Sequence, residues 1–84
     1  MQNKITYKKS VAKDYKNIDH FQRLKIAKQL EKELTKNPMC GKRLHGDFTG
    51  LYSLRIGNYR VIYTLTQNTV LVLRIAHRKE VYRG

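Results

Sequence analysis

One dipeptide limits what this chain can fold into more than any other feature. Gly57-Asn58 separates two runs, 51–56 and 59–65, in which apolar and polar residues alternate. A Gly-Asn pair between such runs signals a two-residue β-hairpin. The short turn also fixes the register. Ile56 then faces Tyr59, Arg55 faces Arg60, Leu54 faces Val61, Ser53 faces Ile62 and Tyr52 faces Tyr63. Side chains alternate across a strand, so Tyr52, Leu54, Ile56, Tyr59, Val61 and Tyr63 share one face, the predicted core. Ser53, Arg55, Arg60 and Thr64 share the other.

The register sets two arginines directly across from each other. Like charges in that position destabilise a hairpin by a few tenths to about 1 kcal/mol. An anion between them relieves the repulsion. The alternative is two arginines that snorkel to separate carboxylates. Carboxylates are scarce here: six Asp and Glu face eighteen Lys and Arg, for a net charge of +12. Six of the seven arginines lie at or after Arg43, and ten of the eleven lysines lie before it. Lysine suits a solvated surface, whereas the arginine fork matches phosphate oxygens. The first half therefore reads as a basic scaffold and the second as a site for a polyanion. An acidic protein is a second partner class consistent with this charge.

The remaining elements follow from local signals. Residues 4–7 form a first strand. Ser10 caps a short helix with Val11, Tyr15 and Ile18 on its inner face. Asp19, with Gln22 three residues on, resembles a capping box. Phe21, Leu24, Ala27, Leu30 and Leu34 then recur at helical spacing, and the helix stops near Thr35 because Asn37-Pro38 disfavours continuation. Residues 37–50 are a connecting loop. Gly41-Lys42-Arg43 lacks the glycine spacing and the Ser or Thr of a phosphate loop. After a turn at Gln67-Asn68, residues 70–76 make a last strand. Either Leu71, Leu73 and Ile75 point inward, which leaves Arg74 on the polar face, or Val70 and Val72 do, which removes it.

The order is strand, two helices, three strands. It predicts an α+β fold: a small antiparallel sheet of about four strands, with an N-terminal two-helix hairpin on one face. The whole chain, 1–84, reads as a single domain with a thin core. No run is long and apolar enough for a membrane helix, and the N-terminus lacks the apolar core of a signal peptide. The expected location is cytoplasmic, with no membrane partner. Cys40 is the sole cysteine, and His20, His45 and His77 lack metal-ligand spacing, so no metal or cofactor is implied.

The order and spacing of these pieces carry a resemblance. They comprise the helical hairpin, Arg43-Leu44-His45-Gly46, the run from Leu51 through Gly57-Asn58 to Tyr63, and the closing His77-Arg78-Lys79-Glu80-Val81-Tyr82. Over nearly its full length the chain resembles toxins of the RelE/ParE superfamily from toxin–antitoxin systems, and its ending resembles the RelE branch more than the ParE branch. The resemblance implies a ribosome-dependent endoribonuclease that cuts mRNA in the A site without a metal. The ribose 2′-OH attacks the adjacent phosphate, leaving a 2′,3′-cyclic phosphate and a 5′-OH. It implies as partners the ribosome, mRNA and a cognate acidic, RelB-like antitoxin.

Roles transfer residue by residue. Arg60 matches the arginine that stabilises charge on the phosphorane, and Arg55 assists from the preceding strand. Tyr82 matches the tyrosine that stacks on a base or orients the nucleophile, and His77 or Arg78 matches a basic position before it. Arg43, Ser53, Arg74, Lys79 and Arg83 are the expected further contacts to RNA. Better-known members carry two lysines where Ser53 and Arg55 stand. Arginine is a poor proton acceptor, so His77 is the candidate general base, with an ordinary pKa of about 6.5. The alternatives are a ParE-like inhibitor of DNA gyrase and a toxin homologue that acts only by binding.

Overall fold

The computed structural model describes residues 4–77, as β1 (Lys4–Tyr7), α1 (Lys9–Lys16), α2 (His20–Lys36), β2 (Lys42–Arg43), a 3-10 turn (Gly46–Phe48), β3 (Leu51–Ile56), β4 (Tyr59–Thr66) and β5 (Thr69–His77). The five strands form one sheet in the order β1-β5-β4-β3-β2. The β3–β4 hairpin has the predicted register at every pair from Tyr52–Tyr63 to Ile56–Tyr59. Gly57 takes a positive φ of 59°, as the first position of a type II′ turn requires.

The expected four-stranded antiparallel sheet needs two corrections. β1 pairs with β5 in parallel, Lys4 beside Thr69 through Tyr7 beside Val72. The sheet is therefore mixed, and the helices form the crossover between β1 and the hairpin strands. In addition, Lys42 and Arg43 pair with Ser53 and Tyr52, so the segment read as a loop supplies a fifth strand. Two residues are too short for an alternation signal.

α1 and α2 cover one face of the sheet. Val11, Ile18, Ile26, Leu30 and Leu34 pack with Tyr52, Ile56, Val61, Tyr63, Val70, Val72 and Ile75 in a single core. The inner stripe of α2 is thus Ile26, Leu30 and Leu34. Phe21 and Leu24, expected in that stripe, are 78% and 51% exposed. Leu24 stands two positions from Ile26, and on a helix that spacing points to opposite sides. Asp19 does cap α2, accepting the Phe21 N–H at 3.2 Å.

β5 resolves the two readings of its inner face by using each in turn. Tyr63 pairs with Val72, but Ile62 pairs with Arg74, so Leu73 is an extra, bulged residue. A one-residue insertion flips the alternation. Val70 and Val72 point inward before it, and Ile75 after it.

The same end of β5 is finished by α1. β1 reaches only as far as Val72, and from there Lys8 and α1 supply the edge contacts. The Lys8 N–H bonds the Val72 carbonyl at 2.9 Å. The Ser10 hydroxyl bonds the Leu73 carbonyl at 2.7 Å, rather than capping the helix. The Asp14 carboxylate accepts the Ile75 N–H at 2.9 Å. Side chains thus close a strand edge that would otherwise stay open to pairing.

Candidate nucleic-acid interface

The face of the sheet turned away from the helices is built by alternation. Cross-strand pairing groups Lys42, Ser53, Ile62 and Arg74 in one row, and Arg55, Arg60 and Ala76 in the next. None of the five strands contains an Asp or Glu. The four acids from Asp14 to Glu33 lie on α1, on α2 or at its cap, and Asp47 lies in the 3-10 turn. The open face therefore presents cations with no carboxylate from its own strands.

Arg55 and Arg60 sit opposite each other, as the hairpin register requires. Their guanidinium groups part along the strands. Arg60 Nη1 donates to the Ser53 hydroxyl at 3.0 Å, toward the middle of the sheet. Arg55 Nε turns the other way, to the Gly57 carbonyl at 3.4 Å, and the side chain is exposed. Separation of the charged ends lowers the repulsion between them. It also leaves Arg60 half-buried, so that it faces whatever lies over Ser53 with much of its hydration already removed. Ser53 is itself buried.

Other expected members of the site fall elsewhere. Arg74 is opposite Ile62, as one reading of β5 required, but its Nε pairs with Asp14 at 3.0 Å. Its guanidinium is thus drawn to the sheet edge by α1. Arg43 is opposite Tyr52 and so belongs to the helix-bearing side; its neighbour Lys42 takes the place on the open face. His77 is opposite Tyr59, with ring centroids 5.7 Å apart and edge to face. Tyr59 and Val61 belong to the helix side, so the register sets His77 there too, away from the Arg55–Arg60 pair. His77 lines a cleft of about 250 Å³ with Asp14, Asn17, Ile18 and Tyr59. The parity of β5 decides this placement, and the bulge at Leu73 hides that parity from the sequence. Arg78, Lys79, Tyr82 and Arg83 lie outside the described residues.

On the covered face, Tyr63 ties the sheet to the chain that follows α2. Its hydroxyl accepts the Gly41 N–H at 3.0 Å and donates to the Pro38 carbonyl at 2.9 Å. Its ring stacks on Tyr52, 5.3 Å away. Burial pushes the hydroxyl up to about 12, against the opposing pull of the Gly41 N–H. The phenol stays protonated and serves as both donor and acceptor. Among the described residues no group of three or more His, Cys, Asp or Glu is placed to hold a metal ion. No helix among them is long and apolar enough to cross a membrane.

A small mixed sheet, packed by two helices on one side and basic on the other, defines a small α+β domain with a basic sheet face. Known proteins give that class its family. Residues 5–82 match the family described as the ParE toxin of the type II toxin–antitoxin system parDE. The chain is 37% identical to toxin RelG of Mycobacterium tuberculosis over 54 residues, 61% of this chain and 62% of RelG. It is 27% identical to toxin RelE3 of Methanocaldococcus jannaschii over 94% of each chain. The toxin–antitoxin complex RelBE2 of M. tuberculosis contains a chain with the same fold, at a TM-score of 0.80 and 24% identity over 93% of this chain and 100% of that one. The protein belongs to the RelE/ParE superfamily and is a toxin of a type II toxin–antitoxin system.

Proposed function

We propose that this toxin is a ribosome-dependent endoribonuclease that cuts mRNA by attack of a ribose 2′-OH on the adjacent phosphate. One observation carries the reading. Arg60 is half-buried on an open face whose strands hold no carboxylate, and its Nη1 is directed by the Ser53 hydroxyl. A phosphate seated over Ser53 meets a fixed, permanently charged fork. Negative charge grows on the equatorial oxygens as the phosphorane forms, and preorganised donors favour that state over the ground state. Arg55, across the strand, adds a second cation at the rim. The 2′-OH proton leaves as the new P–O bond forms, and the 5′-oxygen departs with the cleaved P–O bond and takes up a proton. Arg55 and Arg60 hold charge but do not relay these protons, and the register sets His77 on the other side of the sheet. The ribosome then contributes the alignment that a shallow face cannot.

The partner expected to silence the toxin is an acidic antitoxin. RelBE2 is a toxin–antitoxin complex, and a chain of net charge +12 attracts an acidic protein. A second reading, inhibition of DNA gyrase by binding alone, is favoured by the match to the ParE toxin family.

Primer extension on mRNA from a programmed ribosome separates the two, with purified toxin in EDTA. The expected result is new A-site cuts from wild type and a loss of about 10²–10³-fold in Arg60→Ala, with its thermal midpoint retained. Absence of cuts from folded wild type, together with inhibition of gyrase supercoiling, overturns the nuclease reading.

A further inference from the structure

The open face gains a third cation from its shortest strand. Antiparallel pairing sets Lys42 directly opposite Ser53. Residues in that relation share a face, with Cβ atoms about 4.5–5.5 Å apart. Lys42 is exposed, and its flexible four-carbon stem lets the ammonium reach the space over the Ser53 hydroxyl. That hydroxyl is the group that accepts Arg60 Nη1. Lys42 on β2 and Arg60 on β4 thus flank one buried serine of β3.

The chain around Lys42 is pinned on both sides. Before it, the Gly41 N–H is held by the Tyr63 hydroxyl, which also holds the Pro38 carbonyl. After it, the Leu44 N–H bonds the Leu51 carbonyl at 3.0 Å. Gly41 is required for this approach: a Cβ there would stand 2.5 Å from the Tyr63 hydroxyl and 3.1 Å from the Ser53 carbonyl. Tyr63 is fully buried and belongs to the opposite face. It therefore fixes where the Lys42 backbone lies without touching anything bound on the open side. A merely solvated lysine needs no such anchoring.

We propose that Lys42 is a phosphate-binding residue of the RNA site, with Tyr63 as the positioning residue that sets it through Gly41. The inference rests on the RNA reading of the open face. The ammonium takes a non-bridging oxygen of the strand whose scissile phosphate lies at Arg60. The Ser53 hydroxyl stands between the two cations and spaces them.

The test uses the full chain and a short single-stranded RNA whose 2′-O-methyl groups prevent cutting, with affinity read by fluorescence anisotropy across a salt series. Lys42→Ala is expected to weaken binding several-fold and to lower the slope of log K against log[salt] by about 0.7, the value for one phosphate contact on a single strand. Lys13→Ala, an equal loss of charge on the exposed side of α1, should leave both close to wild type. Tyr63→Phe keeps the ring stack and removes both hydrogen bonds. It should weaken binding, and Lys42→Ala should then cost little more in that background. Thermal melts of each variant separate this effect from unfolding. Equal behaviour of Lys42→Ala and Lys13→Ala overturns the phosphate role, and additive losses from Lys42→Ala and Tyr63→Phe overturn the positioning role. Binding that depends on Arg60 but not on Lys42 sinks this inference alone. Wild type that binds no RNA, or an Arg60→Ala variant that binds as tightly, sinks the RNA reading with it.

Discussion

The two faces of the β3–β4 hairpin are made from alternate residues of the same strands, yet they answer to opposite demands. On the helix side, Tyr52, Ile56, Val61 and Tyr63 are buried against α1 and α2. On the open side, Ser53, Arg55 and Arg60 gather donors and charge where the fold gains least from them. The covered face stabilises the sheet, and the open face tolerates a like-charge pair because the covered face holds the register. If the proposed RNA site is right, stability and function are separable residue by residue along one strand. Substitutions on the covered face should unfold the protein, and those on the open face should disarm it.

The largest expected effect comes from the covered face. Leu30 is fully buried in α2, and Leu30→Ala should cost about 2–5 kcal/mol in urea unfolding. A loss much below this range would mean that the helices do not carry the sheet. Asp14 comes next. Asp14→Ala deprives the Ile75 N–H of its acceptor, a part-buried donor whose loss of a partner costs about 1–3 kcal/mol. Faster amide exchange at Ile75, with β3 still protected, would show that α1 closes the β5 edge.

Alkaline unfolding gives a graded test of the same face. Burial pushes Tyr63 up to about 12 from an ordinary 10. The folded state thus holds this proton more tightly than the unfolded chain does. Its contribution is complete below pH 10 and is lost as pH rises toward 12. Parallel circular dichroism and tyrosinate absorbance should show the loss, and Tyr63→Phe should shrink it. A flat stability curve over this window would contradict the burial of the Tyr63 phenol.

The smallest effect has the opposite sign. Arg55→Thr removes one member of the like-charge pair and adds a residue suited to a strand. Stability should rise by a few tenths to about 1 kcal/mol, while mRNA cutting falls. A variant that loses stability instead would show that Arg55 contributes structurally, through the turn at Gly57. Together with Arg60→Ala, this change tests whether the open face is maintained for an anion.

The parts of the fold visible in the sequence were those with short-range causes. The hairpin register, the Asp19 cap and the face shared by Ser53, Arg55 and Arg60 all follow from neighbouring residues. What escaped depended on long-range pairing. Phe21 and Leu24 share the helical spacing of a core stripe, and only packing shows that Ile26, Leu30 and Leu34 form the inner one. Ser10 has the residue type of a cap, but Leu73, distant in sequence, claims its hydroxyl. Lys42 was hidden because a two-residue strand has no period to detect. The side that His77 takes stayed open, because one bulged residue in β5 breaks the alternation that would have set it.

By itself, then, the sequence determined an α+β chain with a fixed central hairpin, a basic second half and a facing pair of arginines. It did so because alternation, turn chemistry and charge count are local quantities. The tertiary structure alone decided that β1 runs parallel to β5, that Asp14 claims Arg74, that His77 leaves the arginine face and that Lys42 joins it. Each of these depends on which distant backbone a segment meets. A single shift of register there exchanges one face of the sheet for the other.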